Sequence, residues 1–149
     1  MPLEANRLAP AFAERELFMA APRERVWEVL SGIDDWPQWQ SGVSRAQLDG
    51  PLRAGTSFRF KAGGMSITST LRKVTPPFHI AWEGKAAAGL RAVHSWHLYH
   101  HPGGTVVVTA ESFEGAVARL LRPLMQRVLN RALADGLTDL KREAEISAE

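Results

Sequence analysis

The sequence predicts an α+β fold in which one antiparallel sheet packs against a long C-terminal helix. Apolar and polar residues alternate with a period of two over much of residues 43–115, which is typical of strands. From residue 116 onward, apolar residues recur every three or four positions, which is typical of an amphipathic helix. A first strand and two short helices precede these regions, so we expect about seven strands in all.

Composition favours one domain spanning residues 1–149. Of the 149 residues, 45% are hydrophobic and the net charge is only +2, which indicates a folded core and not a disordered chain. Cysteine is absent, so disulfides and thiolate-bound metals are excluded. Basic residues are spread from Arg7 to Arg142 and are not clustered on one segment with all acids elsewhere, so we expect no nucleic-acid partner. No apolar run approaches the ~18 residues of a membrane span, and no secretory signal is recognisable. We therefore expect a cytoplasmic protein. We also expect it to be a monomer or a homodimer.

The first strand and the two short helices are predicted from local signals before residue 40. Residues 14–20 are predicted as the first strand. Pro22 then fits the first turn of a helix, where its missing N–H costs nothing, and Gly32 ends that helix. A second short helix or turn is predicted at residues 34–39.

A tight hairpin is predicted around Gly63 and Gly64. Two strands separated by two glycines indicate a primed turn, because both central residues then adopt a positive φ. One face of this hairpin is apolar and the other carries Arg, Lys, Ser and Thr. The turn predicts three cross-strand pairs: Ala62 with Met65, Phe60 with Ile67, and Phe58 with Ser69.

A second hairpin is predicted between residues 90–99 and 105–113, around a four-residue loop at residues 101–104. A shift of one residue would move every side chain to the other face, so the register decides which residues share a face. The predicted pairs are His100 with Thr105, Leu98 with Val107, Trp96 with Thr109, His94 with Glu111, and Ala92 with Phe113.

The C-terminal helix carries one apolar stripe and several arginines. Pro123 lies near its start and predicts a kink or two abutting helices. For the arginines we favour a solvated helix face over a patch for anionic lipid or phosphate; they are Arg119, Arg122, Arg127 and Arg131. The residues of the predicted stripe are Val117, Leu120, Leu121, Leu124, Met125, Val128, Leu129, Ala132, Leu133, Leu137 and Leu140.

Seven segments, in this order along the chain, resemble one known superfamily: residues 21–30, 36–39, 52–58, 74–77, 81–84, 94–98 and 109–115. The chain resembles the START-like (SRPBCC) superfamily, whose helix-grip fold also contains the Bet v 1 allergens, and within it the polyketide cyclase/dehydrase-like branch. The resemblance implies a curved antiparallel sheet that grips the long helix around a cavity for a hydrophobic ligand. It transfers no catalytic set residue by residue.

The covered face of the predicted sheet and the long helix that packs on it contain the candidate ligand-binding residues. A completely packed core is the alternative, but polar residues on the same face favour a ligand cavity, since small-molecule sites are mostly apolar with a few convergent polar groups. The apolar candidates are Phe58, Phe60, Met65, Ile67, Trp82, Trp96, Phe113, Met125, Leu129 and Leu133. The polar candidates are Ser69, His94, Thr109 and Glu111.

His94 and Glu111 are the candidate catalytic residues. Directly opposite residues on paired strands have Cβ atoms about 4.5–5.5 Å apart, so the imidazole is a possible partner for the buried carboxylate. In a catalytic role, Glu111 would orient His94, which would exchange a proton with a bound carbonyl or enol. We favour the simpler interpretation, in which the pair orients a ligand or fixes the strand register.

We expect no metal and no cofactor. His94 and His97 point to opposite faces of a strand, and His100 and His101 lie at a turn. The glycine pairs match no nucleotide-binding loop.

The sequence therefore predicts a protein that binds a hydrophobic small molecule, such as a lipid, a polyketide or an aromatic compound, between the sheet and the long helix. A polyketide cyclase- or dehydratase-like enzyme is the first alternative. A protein-interaction module of the chaperone co-activator type is the second, and it would present a broad exposed apolar patch.

Overall fold

The computed structural model describes residues 4–146, and this part of the chain contains one seven-stranded antiparallel sheet. The strand order is β1-β7-β6-β5-β4-β3-β2, so the prediction of an α+β fold with about seven strands is confirmed. The strands are β1 Ala11–Met19, β2 Val43–Leu48, β3 Ser57–Ala62, β4 Met65–Thr75, β5 His79–Lys85, β6 Arg91–His101 and β7 Gly104–Glu114.

Two α-helices follow β1, α1 Arg23–Ser31 and α2 Trp36–Trp39, and two follow β7, α3 Ala116–Leu120 and α4 Arg122–Ile146. The chain leaves helical geometry at Leu121, with φ −113° and ψ 38°. Pro123 follows as the second residue of α4, where it breaks no intrahelical hydrogen bond. The prediction of two abutting helices is therefore confirmed. Within residues 4–146, no helix is long and apolar enough to cross a membrane.

Both predicted hairpins have the predicted register. The pairs of β3 with β4 and those of β6 with β7 match the sequence-based pairs at every position. The second loop is shorter than expected, because the ladder continues to His101 and Gly104. Only Pro102 and Gly103 remain in the turn, and Gly103 takes the positive φ of +84° that the turn requires.

The first strand begins earlier than residues 14–20, at Ala11. Ala11 and Ala13 are buried against Leu129 of α4. Their small side chains let the helix approach the sheet at this position. β1 pairs with β7 from Ala11 onward, so the strand starts three residues before the predicted one.

The side chains between the sheet and α4 form two apolar clusters. The C-terminal half of α4 contributes Leu137 and Leu140 to the first cluster, which contains the buried side chains of α1, α2 and the centre of the sheet. The N-terminal half contributes Leu129 and Leu133 to the second, smaller cluster, with Phe113 beside it.

Part of the predicted apolar stripe of the C-terminal helix does not face the core. Leu129, Leu133 and Leu137 form the buried row of α4, with a spacing of four residues. Each residue rotates by about 100° around a helix axis. The row one position earlier, which contains Leu124 and Val128, therefore lies beside the buried row and reaches solvent. The exposed large residues of the stripe are Leu120, Leu121, Leu124 and Val128.

Candidate functional site

The predicted polar side chains meet on the inner face of the central strands β5, β6 and β7. His94 is paired with Trp82 on one side and with Glu111 on the other. Trp96, two residues along β6, is paired with Thr109. Since residues i and i+2 of a strand share a face, all five side chains point toward α4.

The hydrogen bonds of Thr109 determine which imidazole nitrogen of His94 carries the proton. The Thr109 hydroxyl donates to the backbone carbonyl of Ser95 at 3.0 Å, and a hydroxyl has only one hydrogen. Its Oγ1 lies 2.8 Å from His94 Nε2 and must therefore accept a hydrogen from it. A neutral His94 consequently has the Nε2–H tautomer, and the lone pair of Nδ1 remains available as an acceptor.

His94 and Glu111 are both uncharged at neutral pH. Burial lowers the pKa of His94 from 6.5 to about 3, and burial raises the pKa of Glu111 from 4.5 to about 8. Nδ1 of His94 lies 3.6 Å from Oε1 of Glu111, which is too long for a direct hydrogen bond. The site thus presents a carboxyl donor beside an imidazole acceptor, and neither group is satisfied by the other.

Space remains beside this pair. The side chains of His94 and Glu111 each keep 14% of their surface accessible, although they point into the layer between sheet and helix. Ala92, Phe113 and Met125 in the same layer are also only partly buried. The side chains at this position are therefore not completely covered by their neighbours.

Two further polar atoms of the inner face have no hydrogen-bond partner within the described part of the chain. They are the indole nitrogen of Trp96 and the hydroxyl of Ser69, and both are buried. Buried polar groups are usually satisfied, and an unsatisfied one calls for an explanation such as a missing partner molecule. Gly84 opposite Ser69 leaves room for that hydroxyl, because a Cβ there would come within 2.7 Å of it.

An aromatic cluster closes the site on the side of β3. Trp82 packs at ring-centroid distances of 5.4 Å from both Trp36 and Phe58, and its ring lies 5.0 Å from that of His94. The indole of Trp36 donates to the Leu30 carbonyl at 2.9 Å, which holds it in place. Trp36 is not among the predicted ligand-binding residues, but the sequence at residues 36–39 predicts a packing corner that closes one end of the cavity, and Trp36 packs onto the sheet there.

The other predicted ligand-binding residues are not all in one place. Leu129 and Leu133 are buried, and Met125 packs beside them, next to Phe113. Phe60 and Ile67 instead line a cleft of about 560 Å³ near the edge of the sheet. Met65, predicted on the covered face, is 37% exposed, because it directly follows the turn at the end of its hairpin.

One group of side chains in residues 4–146 has the composition of a metal site, and it lies on the outer face of the sheet. Potential ligand atoms of Glu4, His79 and His97 lie within 4.8 Å of one another. Sequence analysis missed Glu4 and His79, which are distant from His97 along the chain. Burial, His97 and Lys73 lower the pKa of His79 to about 4. The positive charge of Lys73 also opposes a cation there, so we assign no metal to this group.

Comparison with protein families gives one match that covers most of the chain. A family model described as "Polyketide cyclase / dehydrase and lipid transport" matches residues 13–145. No curated protein matches the sequence.

Solved structures share the fold at low sequence identity. A hypothetical protein from Helicobacter pylori has a TM-score of 0.80 and 17% identity, with 97% of this chain and 98% of that chain covered. The Zhui aromatase/cyclase from Streptomyces sp. R1128 has a TM-score of 0.78 and 19% identity, covering 90% and 93%. A START superfamily protein from Mycobacterium smegmatis has a TM-score of 0.75 and 13% identity, covering 90% and 97%.

Proposed function

Because the chain belongs to the family of polyketide cyclases, dehydrases and lipid-transport proteins, we propose that it binds a hydrophobic small molecule between the central strands and α4. The observation that carries the proposal is the residual accessible surface of His94 and Glu111 in a mostly apolar layer. An apolar pocket with a few convergent polar groups is the usual form of a small-molecule site.

The polar groups of the site indicate which hydrogen-bonding groups the ligand carries. At neutral pH, Glu111 is a hydrogen-bond donor and Nδ1 of His94 is an acceptor, while the Trp96 indole is an unpaired donor. An uncharged ligand that carries a carbonyl and a hydroxyl satisfies all three. A ligand with a carboxylate beside Glu111 is disfavoured, because the two acidic groups would compete for one proton in a desolvated place.

Binding of the neutral dye Nile red tests the proposal. Its fluorescence should increase on binding, and the total tryptophan emission of the chain should fall. Ala92→Leu fills space beside His94 and Glu111 and should weaken binding by at least tenfold. The matched variant Ala132→Leu makes the same substitution at an exposed position of α4 and should bind like the original chain. Equal binding by both variants would place the dye elsewhere.

A second candidate function is catalysis of enol formation in a β-diketone. The Glu111 carboxyl donor beside the His94 imidazole acceptor favours it. The proton of the carbon between two carbonyls passes to Nδ1 of His94, while the Glu111 carboxyl gives its proton to a carbonyl oxygen. The C–H bond breaks, a C=C bond forms, and the carbonyl electron pair moves to oxygen. This step creates an imidazolium and a carboxylate in a desolvated place, so catalysis ranks behind binding.

Deuterium exchange at the central carbon of benzoylacetone, followed by NMR, tests this candidate. Catalysis predicts exchange above the buffer rate and a loss of at least tenfold in Glu111→Gln. Glu16→Gln removes an exposed carboxylate of β1 and is the control. Exchange at the buffer rate in the unmodified chain would leave binding as the only function proposed for this site.

A further inference from the structure

The junction of α3 and α4 presents an exposed apolar surface surrounded by arginines. We call it the Arg–Leu surface, and it consists of Leu120, Leu121, Leu124, Val128, Arg119, Arg122, Arg127 and Arg131. Leu120 is 81% exposed and Leu124 is 50% exposed. Large apolar side chains grouped in this way on a surface mark interaction sites.

The charge of this segment differs from that of the rest of the chain. Residues 116–134 contain four arginines and no acidic residue, whereas the whole chain has a net charge of only +2. The remainder of the sequence therefore carries two more acidic than basic residues. All of the positive excess lies in the segment that exposes the leucines.

The four arginines have no ion-pair partner among the described residues. The salt bridges of residues 4–146 involve other arginines, such as Arg25 with Glu28 and Arg142 with Asp139. Nothing within this part of the chain therefore neutralises the charge of the Arg–Leu surface. A surface that needs both apolar contact and negative charge fits a bilayer that contains anionic lipids.

We propose that the Arg–Leu surface docks the protein on anionic membranes, with the leucines in the headgroup region and the arginines against lipid phosphates. A second copy of the chain fits less well, because two such surfaces facing each other would bring eight arginines together. The same helical segment turns Met125 and Leu129 inward, so the docking face lies beside the helix face that covers the inner layer. Docking does not depend on the ligand site.

Vesicle sedimentation tests docking. The chain should bind vesicles of equimolar phosphatidylcholine and phosphatidylglycerol, and should not bind phosphatidylcholine alone. Each arginine near an anionic surface contributes about 1 kcal/mol, so Arg127→Gln/Arg131→Gln should weaken binding roughly 30-fold. Arg53→Gln/Arg72→Gln makes the same charge change at exposed positions outside the segment and should weaken it much less.

The leucines are tested separately. Leu120→Ser/Leu124→Ser should weaken vesicle binding at least tenfold without changing the circular dichroism spectrum, and the single variant Leu120→Ser serves if the double variant unfolds. No binding to anionic vesicles, or equal losses in the two arginine pairs, would overturn the proposal. So would a dimer in sedimentation velocity that the leucine variants dissociate while vesicle binding is unchanged. Nile red binding without vesicles reports the ligand site alone, so the two proposals fail independently.

Discussion

Nε2 of His94 donates a hydrogen bond to Oγ1 of Thr109 across the β6–β7 ladder, at 2.8 Å. Thr109 in turn donates to the Ser95 carbonyl, so the imidazole proton is held on the side away from Glu111. This relation leaves the Nδ1 lone pair free on the side of Glu111. Burial keeps both groups uncharged at neutral pH, and each side chain keeps 14% of its surface accessible.

The first prediction concerns this tautomer. In a ¹⁵N-correlated NMR spectrum at neutral pH, His94 should have a protonated Nε2 and an unprotonated Nδ1. Thr109→Ser keeps the hydroxyl and should preserve the pattern. Thr109→Val leaves His94 Nε2 unpaired and should lower the free energy of unfolding by about 1–3 kcal/mol. A protonated Nδ1 in the unmodified chain would contradict the assignment.

The second prediction concerns pH and Glu111. Its pKa is about 8 in the folded state and 4.5 ordinarily, so between these values the folded protein keeps a proton that the unfolded chain releases. This contribution to stability is complete below pH 4.5 and is lost as pH rises toward 8. His94 has the opposite effect, since its lowered pKa makes stability rise with pH from about 3 to 6.5.

Up to pH 6.5, His94 and Glu111 have opposite effects on how the free energy of unfolding changes with pH. Above pH 6.5, only the loss of stability caused by Glu111 remains. Urea unfolding should therefore show stability falling by about 1–2 kcal/mol between about pH 6.5 and pH 8. Glu111→Gln should abolish this fall, whereas the control Glu16→Gln should retain it. Parallel stability curves for the original chain and Glu111→Gln would show that the carboxyl is not desolvated.

The third prediction concerns Gly136, in the interior of α4. A Cβ at this position would lie 3.7 Å from the Trp96 ring, which is an ordinary contact. Because glycine is about 1 kcal/mol less favourable than alanine in a helix, Gly136→Ala should raise the free energy of unfolding by about 0.5–1 kcal/mol. Gly104→Ala provides the contrast: its Cβ would overlap the Met19 carbonyl oxygen, so thermal denaturation should show clear destabilisation.

The hairpin registers were predictable from sequence because their signals are local. The glycines at residues 63 and 64 determine one turn, and the alternation on both sides of residues 101–104 determines the other. Once the register was known, the approach of His94 to Glu111 followed. The residual accessible surface beside them was not predictable, since it depends on how completely side chains from distant elements fill the layer.

The exposure of Leu124 and Val128 was not predictable for a different reason. Helical periodicity identifies a wide apolar stripe, but the packing of α4 against β1 decides which row of the stripe is buried. Here the narrow contact with Ala11 and Ala13 accommodates the row of Leu129 and leaves the adjacent row in solvent. The helical periodicity that predicts core residues therefore also includes the exposed apolar residues of the Arg–Leu surface, which we propose for membrane docking.

Native mass spectrometry of the freshly purified chain, before and after incubation with Nile red, shows whether a ligand occupies the site beside His94 and Glu111. We expect one bound molecule per chain, either a co-purifying hydrophobic compound that the dye displaces or the dye itself. Ala92→Leu should carry much less of either, whereas Ala132→Leu should carry as much as the original chain. Bound dye in equal amounts on Ala92→Leu and the original chain, or no bound molecule on any of them, would contradict a ligand site beside His94 and Glu111.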